Sequence, residues 1–242
     1  MIVKSKVLTD FLSKIKGTGS SFINEIKLNF GNTITCNAKN IEGTVICFSE
    51  LTPTEITGYN SFGSIGIDDL PTFINIVSGF DKLELEKNNN LLTFKEGGRK
   101  IETILTNPEF IESPMVKELS FTEALTVDAK KINKFIADAK LTKDFILKIR
   151  TAPKQLILET DGKYKFTEVI DAPEAIGGVE VKVAAPFIHN MASFDGKVIL
   201  KLKTNYPVMI LEKTETSNVA IYVAPYIDNQ APAPEAKTEE SA

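Results

Sequence analysis

Lysines cluster in one stretch of this sequence, KKINKFIADAK, which begins at Lys130. On a helix, Lys130 and Lys134 would point away from the apolar side formed by Ile132, Phe135 and Ile136, and Lys131 would flank that side. Flexible ammonium groups in such a row attract phosphate without reading bases. The alternative is that these lysines only solvate the outer side of a helix. Since the chain has a formal net charge of -4, any basic surface on it must be local.

Residue types that carry catalysis are sparse. Asp68 and Asp69 are adjacent carboxylates, but an Asp cap followed by proline at a helix start explains them as well. The single histidine, His189, supports neither a catalytic triad nor a metal site. Cys36 and Cys47 lack the spacing of a zinc site and fit small buried side chains. With no glycine-rich phosphate loop either, we expect a protein that is not an enzyme and holds no cofactor and no metal.

The length and composition suit a globular protein that is free in the cell. The chain has 242 residues, of which 43% are hydrophobic and 25% charged, enough for one large domain or two ordinary ones. We find no signal-peptide pattern and no apolar run long enough to span a bilayer, so we expect a soluble intracellular protein. Residues 228–242 are rich in Pro, Ala and Glu, and we expect this acidic tail to be disordered.

The order of predicted elements repeats once. Each half consists of an amphipathic helix, three or four strands, a second helix and three more strands. The second helix of the second half is predicted at 185–193. Phe73 matches Phe187 at an offset of 114 residues, and Phe80 with Asp81 matches Phe194 with Asp195. A repeat of this length indicates a duplicated α+β domain in which two helices cover one face of a curved antiparallel sheet.

The stretch YPVMILEKTETSNVAIYVAPYI, residues 206–227, resembles the C-terminus of the trimeric DNA sliding clamps. These include the proliferating cell nuclear antigen and the clamps of T4-like phages. The stretch IDDLPTFINIVSGF resembles the second helix of the phage clamps. The order of elements, the duplication, the linker and the Ala-Pro ending extend the resemblance over nearly the whole chain, up to Ile227.

The resemblance implies two tandem clamp domains that form rings, with the sheets outside and the helices on the inner face. The domains would span 1–107 and 119–227, joined by a connector at 108–118 and followed by the tail. The function implied is that of a processivity factor, a homotrimeric ring that encircles duplex DNA without sequence specificity. Implied partners are a replicative DNA polymerase, a clamp-loader ATPase and replication and repair proteins with short peptide motifs. The setting would be the cytoplasm of a prokaryote or of an infected host cell.

The same resemblance implies a DNA-facing role for lysines on the first and third helices. The residues implied are Lys6, Lys14, Lys16, Lys130, Lys131, Lys134, Lys140 and Lys143. The second helix departs from the family pattern because no lysine occurs near it before Lys82. The fourth offers His189 and then Lys197, so we expect a patchy positive lining.

The family's peptide-binding pocket lies beside the linker and the C-terminal strand. The positions implied here are Val45, Phe110, Ile111, Pro207, Tyr222, Ala224 and Pro225. An exposed apolar groove at a linker suits a peptide anchored by an aromatic side chain. Ordinary core packing is the alternative for Tyr222 and Val45.

Two edge strands are implied as the joints between subunits, at 100–106 and 178–183. Their candidate contact residues are Ile101, Thr103, Leu105, Val179, Val181 and Val183. A head-to-tail contact of this kind closes into a ring if its rotation permits. Alternatively, charges only blunt these edges in a monomer. The chain would then be a clamp-fold scaffold or a monomeric viral processivity factor that does not encircle DNA.

Overall fold

A computed structural model describes residues 1–17, 22–54, 56–59, 62–115, 119–139, 146–184 and 194–227. Within these ranges the helices are α1 (Ser5–Lys16), α2 (Leu70–Ser78) and α3 (Ala129–Ala139). The helix predicted at 185–193 and the tail predicted to be disordered lie outside the described residues.

Strands make up most of the remaining structure. Those of the first half are β1 (Ile2–Lys4), β2 (Ile26–Phe30), β3 (Ile34–Lys39), β4 (Val45–Leu51), β5 (Ile56–Thr57), β6 (Ser64–Ile67), β7 (Lys82–Asn88), β8 (Leu91–Glu96) and β9 (Arg99–Ile104). Those of the second half are β10 (Glu123–Asp128), β11 (Ile146–Ala152), β12 (Gln155–Asp161), β13 (Thr167–Asp171), β14 (Glu180–Ala184), β15 (Lys197–Leu202), β16 (Val208–Lys213) and β17 (Ser217–Val223).

The described strands form three antiparallel sheets. One runs β5-β1-β7-β8-β9, the second runs β10-β15-β16-β17-β4-β3-β2-β6, and the third runs β13-β12-β11-β14. The second sheet contains strands of both halves, which meet where β17 pairs with β4 from Ser217–Leu51 to Val223–Val45. The two halves of the chain therefore share one continuous sheet.

Alternating burial along β2, β3 and β4 leaves one face of these strands for the core, against which α1 packs. In β2, β3 and β4 every second side chain is buried and the others are half-buried, as expected for strands with one face on the core. Leu8, Phe11, Leu12 and Ile15 of α1 are buried at helical spacing and contact this core. The predicted α+β architecture, with helices and antiparallel sheets sharing one core, is confirmed.

The start of α2 follows the predicted capping chemistry. Asp69 precedes the helix, and its Oδ1 accepts a hydrogen bond from the backbone N–H of Thr72 at 3.0 Å. Hydrogen bonding from Thr72, first from its side chain and then from its backbone N–H, holds the pKa of Asp69 below its usual value, since it favours the carboxylate. Pro71 occupies the first turn, where its missing N–H costs nothing. The Asp68–Asp69 pair is therefore built into a helix start, as the cap interpretation predicts.

The duplication is visible in the pairing that precedes each first helix. Val3 of β1 lies opposite Leu83, and Val127 of β10 lies opposite Val198. Both valines stand two residues before a helix, α1 or α3. Periodicity does not predict strand β1, because three residues are too few to show an alternating pattern.

Candidate nucleic-acid interface and joining edges

The lysines of α3 lie on its outer side. Lys130, Lys131 and Lys134 are exposed, whereas Ile132 and Phe135 are buried. The amphipathic spacing of the sequence therefore turns the ammonium groups to solvent. Lys130 lies 3.1 Å from a carboxylate oxygen of Asp195, an exposed ion pair that salt and a competing phosphate can replace.

The lysines of α1 differ in their exposure and in their ion pairs. Lys6 is exposed and Lys16 is half-buried. Lys14 instead turns toward the sheet, where its Nζ pairs with the carboxylate of Glu212 on β16. Because Glu212 is only 2% exposed, this pair is largely removed from solvent, and we leave Lys14 out of the candidate DNA-facing set. Lys140 and Lys143 lie outside the described residues.

Helix α2 presents a neutral surface. It contains no basic residue, and its exposed side chains include Thr72, Asn75 and Ser78. The nearest lysine that follows it, Lys82, is exposed at the start of β7. Among the described helices, basic residues therefore occur only on α1 and α3.

The linker is fixed to the edge of the second sheet where it leaves the first half. Thr106 forms a bridge with Gly66 of β6, and its Oγ1 donates to Asp68 Oδ2 at 2.7 Å. A side chain on Gly66 would meet the Thr106 carbonyl oxygen at 2.5 Å and the Ile111 Cδ1 at 3.0 Å. Glu112 then pairs with Lys39 at 2.7 Å. Gly66 thus allows the linker to approach the sheet closely.

A cleft of about 290 Å³ lies between this linker and the first half of the chain. The residues around it are Asn24, Glu25, Lys39, Asn40, Ile41, Phe110, Ile111 and Glu112. Ile41 is 95% and Phe110 is 82% exposed, whereas Ile111 is buried. Two exposed apolar side chains at one cleft are suited to contact an apolar partner.

Tyr222 lies on a row of side chains that leads to this cleft. It is opposite Met209 on one side and Ile46 on the other, and Ile46 is opposite Lys39. The Tyr222 ring meets the ring of Phe48 edge-on, with centroids 5.7 Å apart. Partial burial raises the pKa of Tyr222. The outer face of β16, β17 and β4 therefore presents apolar side chains beside the linker cleft.

The other predicted pocket residues separate into two groups. Val45 is fully buried on the helix side of β4, so its side chain is closed to a partner, in agreement with the core-packing alternative and not with a place in the pocket. Pro207, Ala224 and Pro225 are half-buried. The backbone N–H of Ala224 donates to the Thr44 carbonyl at 2.8 Å, which positions the Ala-Pro segment beside the β3–β4 turn.

The edge predicted at 178–183 is less available than the sequence suggests. Val179, Val181 and Val183 are buried within the chain, so they offer no side chain to a neighbour. The backbone N–H of Tyr226 also donates to the Lys182 carbonyl at 2.7 Å, which occupies part of the β14 edge. Alternation predicts which face of a strand is buried. It does not predict whether that face packs against the same chain or against a second copy.

The opposite edge of the same sheet is open. Val169 of β13 is 51% exposed, and Phe166, just before the strand, is 38% exposed. The sequence predicts a strand here, but the order of strands within a sheet cannot be read from periodicity. On the other predicted edge, β9, Ile101 and Thr103 are half-buried, and the adjoining Leu105 is buried. Ile104 is exposed.

Opposite charges pair across the solvent face of the third sheet. Arg150 binds both carboxylate oxygens of Glu159, and Lys182 lies 2.9 Å from Asp161. These contacts hold the pKa values of Glu159 and Asp161 below the usual range, because hydrogen bonds to the cations favour the ionised acids. Within the described residues, no three His, Cys, Asp or Glu side chains could hold a metal ion. No helix among those residues is long and apolar enough to cross a membrane.

Solved structures of sliding clamps share this fold. The proliferating cell nuclear antigen (PCNA) of A. fulgidus, solved with the C-terminal region of FEN-1 bound, superposes with a TM-score of 0.81 and 19% identity, covering 95% of this chain and 98% of that one. The PCNA of Entamoeba histolytica gives a TM-score of 0.78 at 16% identity, covering 93% and 96%.

A PCNA2–PCNA3 complex from Sulfolobus tokodaii gives a TM-score of 0.73 at 14% identity, covering 93% of this chain and 99% of that chain. No protein-family model and no curated protein matches the sequence. The chain thus has the two-domain fold of the PCNA sliding clamps over nearly its whole length.

Proposed function

We propose that the chain is a DNA polymerase processivity factor, a sliding clamp whose copies form a ring around duplex DNA. The observation that carries this proposal is the junction between its two halves. Strands β4 and β17 pair along their whole length inside the chain. Their counterparts in the other half, β13 and β9, are both edge strands. A head-to-tail contact between copies through β9 and β13 would repeat the internal junction and continue it around a ring.

The lysines of α1 and α3 would attract DNA to the inside of such a ring. We propose that Lys6, Lys16, Lys130, Lys131 and Lys134 attract backbone phosphates, which is independent of sequence and weak enough to allow sliding. The neutral surface of α2 would leave gaps in this lining. Retention would therefore depend on closure of the ring more than on affinity.

We further propose that the cleft beside Phe110 and Ile41, continued by Tyr222, binds short peptide motifs of a polymerase and other replication proteins. The cleft combines exposed apolar side chains with an anchored linker. The structure of a relative with the C-terminal region of FEN-1 bound supports this role. A homotrimer, a clamp-loader ATPase as a partner, an intracellular setting and a scaffold role without catalysis belong to the same proposal. So do the domains at 1–107 and 119–227, with a connector at 108–118.

Topological retention tests the function. Protein that has assembled in the presence of a circular plasmid is washed at high salt, and the plasmid is then cut at one site. An encircling ring resists the wash and is released by the cut, because salt weakens phosphate contacts but does not open the ring. Protein that stays bound after cutting, or that salt removes from the circle, contradicts encirclement.

The absence of lysines on α2 favours a second candidate, a clamp-fold scaffold or monomeric processivity factor that does not encircle DNA. Such a protein would bind circular and linear DNA equally and would be washed off both at high salt.

A further inference from the structure

We propose that β9 of one copy pairs with β13 of the next in a single register fixed by opposite charges. In this register Arg99 lies opposite Glu168 of the next copy, and Glu102 lies opposite Lys165. The inference rests on the proposed ring, and the partner is a second copy of this chain.

The strands that end at β9 correspond to the strands that end at β17. The pairs Val3–Leu83 and Val127–Val198 fix the alignment, because each valine stands two residues before a helix. Two residues further along β7, Leu85 pairs with Phe94 of β8, which pairs with Ile101 of β9. Two residues further along β15, Leu200 pairs with Ile210 of β16, which pairs with Ile221 of β17. Ile101 is thus the counterpart of Ile221.

Strand β4 likewise corresponds to β13. In each half, the buried rung nearest the first hairpin turn runs across three strands. These rungs are Phe30–Ile34–Leu51 and Thr151–Leu156–Ile170, and all six residues are buried. Leu51 and Ile170 are therefore counterparts.

The internal junction then gives the register between copies. Ile221 lies opposite Cys47, four residues before Leu51. The residue four before Ile170 is Phe166, so Ile101 faces Phe166 of the next copy. Along the antiparallel strands the remaining pairs follow, namely Arg99–Glu168, Lys100–Thr167 and Glu102–Lys165.

The charges of these pairs support the same register independently of the strand equivalences. Arg99, Glu102, Lys165 and Glu168 are all exposed, and each ion pair joins opposite signs across one rung. Between the two ion pairs, the half-buried Ile101 meets the exposed Phe166 ring, as an apolar centre of the contact requires.

Arg99 is already held in position for this contact. Its guanidinium lies 4.6 Å from the ring centroid of Phe80, and its Nη1 donates to the Gly79 carbonyl. Lys100 holds Glu102 through an ion pair of 2.8 Å, and this contact lowers the pKa of Glu102. Both charges are therefore in place before a second copy arrives.

Slipped registers fit less well. A slip by two residues in one direction places Ile101 opposite the carboxylate of Glu168 and separates both ion pairs. A slip in the other direction places Lys163 opposite Glu102 but leaves Glu168 without Arg99. Of the three registers, only the proposed one keeps both ion pairs.

Paired cysteines distinguish these registers in the full chain. The test variant carries Lys100→Cys with Thr167→Cys, and the matched controls carry Lys100→Cys with Lys165→Cys or with Val169→Cys. Side chains directly opposite have Cβ atoms about 4.5–5.5 Å apart, against up to about 7–8 Å for diagonal neighbours, and a disulfide needs a short separation. Cys36 and Cys47 are fully buried, and burial raises the pKa of Cys36 to about 12, so they stay unreactive.

Under mild oxidation, we expect covalent multimers on a non-reducing gel from the Thr167 variant, several-fold faster than from either control. Faster linkage at Lys165 or Val169 overturns the register. The register is also overturned if variants that light scattering shows to be assembled form no disulfide at all, but that result does not contradict the ring. A wild-type protein that is monomeric would contradict both the ring and the register.

Charge reversal gives an independent readout. Glu102→Lys should lower the assembled fraction on dilution, and Lys165→Glu in the same chain should restore it. Lys163→Glu is the matched control, because it restores assembly only in the slipped register. Restoration by Lys163→Glu and not by Lys165→Glu overturns the proposal.

Discussion

Lys14 of α1 forms an ion pair with Glu212 of β16, so the first helix of one half is tied to a strand of the other half. The Lys14 side chain is 16% and that of Glu212 only 3% exposed. An ion pair this far from solvent holds the two halves in one arrangement, because either charge left alone would be costly.

Lys14→Ala is therefore expected to lower the free energy of unfolding by about 3 kcal/mol, since it leaves the buried Glu212 carboxylate without its cation. The double variant Lys14→Met with Glu212→Leu is expected to recover most of that stability, because apolar side chains of similar size avoid the desolvation cost. Urea unfolding of the wild type, the Lys14→Ala variant and the double variant measures both effects. A Lys14→Ala protein that is fully stable but binds DNA weakly would return Lys14 to the DNA-facing set.

The exposed lysines of α3 are expected to set the salt dependence of DNA binding. Replacing Lys130 and Lys134 with Ala should weaken binding and reduce the slope of log affinity against log salt by about 0.9 for each phosphate that is no longer neutralised. The matched control replaces Lys27 and Lys213, which lie on strand faces turned away from the helices and carry the same total charge. An equal reduction of the slope in both variants would mean that net charge, not the α3 surface, is responsible.

Gly66 is expected to be required for the position of the linker. A methyl group there would meet the Thr106 carbonyl oxygen at 2.5 Å, so Gly66→Ala should push the linker off the sheet. We expect chymotrypsin to cut after the exposed Phe110 faster in this variant. Gly98→Ala is the control, because a Cβ at Gly98 has no atom within 4 Å. Equal cutting rates in the two variants would show that the linker does not depend on this contact.

The Arg150–Glu159 ion pair is expected to make the stability of the protein depend on pH. Arg150 lowers the folded-state pKa of Glu159 below its usual value. The ion pair therefore contributes fully to stability above the pKa of Glu159 in the unfolded chain. This contribution disappears as the pH falls through the lower pKa of Glu159 in the folded protein. Glu159→Gln should reduce the melting temperature slightly at pH 7, because an exposed ion pair typically contributes about 0.5 kcal/mol to the free energy of unfolding. The reduction should become smaller as the pH falls below the pKa of Glu159 in the folded protein. Glu174→Gln, an exposed control, should change the melting temperature at neither pH. A difference that persists unchanged in acid would assign the effect to something other than the charge.

The fold could be predicted further than the site. Alternation and helical spacing predict which side of α3 carries lysines, because burial follows the local pattern. The same patterns cannot tell that Lys14 reaches Glu212, since a strand 198 residues away supplies that partner. The edge-strand interpretation also predicts Val181 as a contact residue, although it is buried within the chain. The open edge at β13 depends on strand order, which long-range pairing determines.

The solution mass tests the central claim most directly. Light scattering on a size-exclusion column, repeated over a dilution series, gives the mass without reference to shape. We expect a species of three times the 26.6 kDa of one chain that persists on dilution. A mass of one chain at every concentration would contradict the ring, and with it the assignment of β9 and β13 as the joints that hold DNA inside.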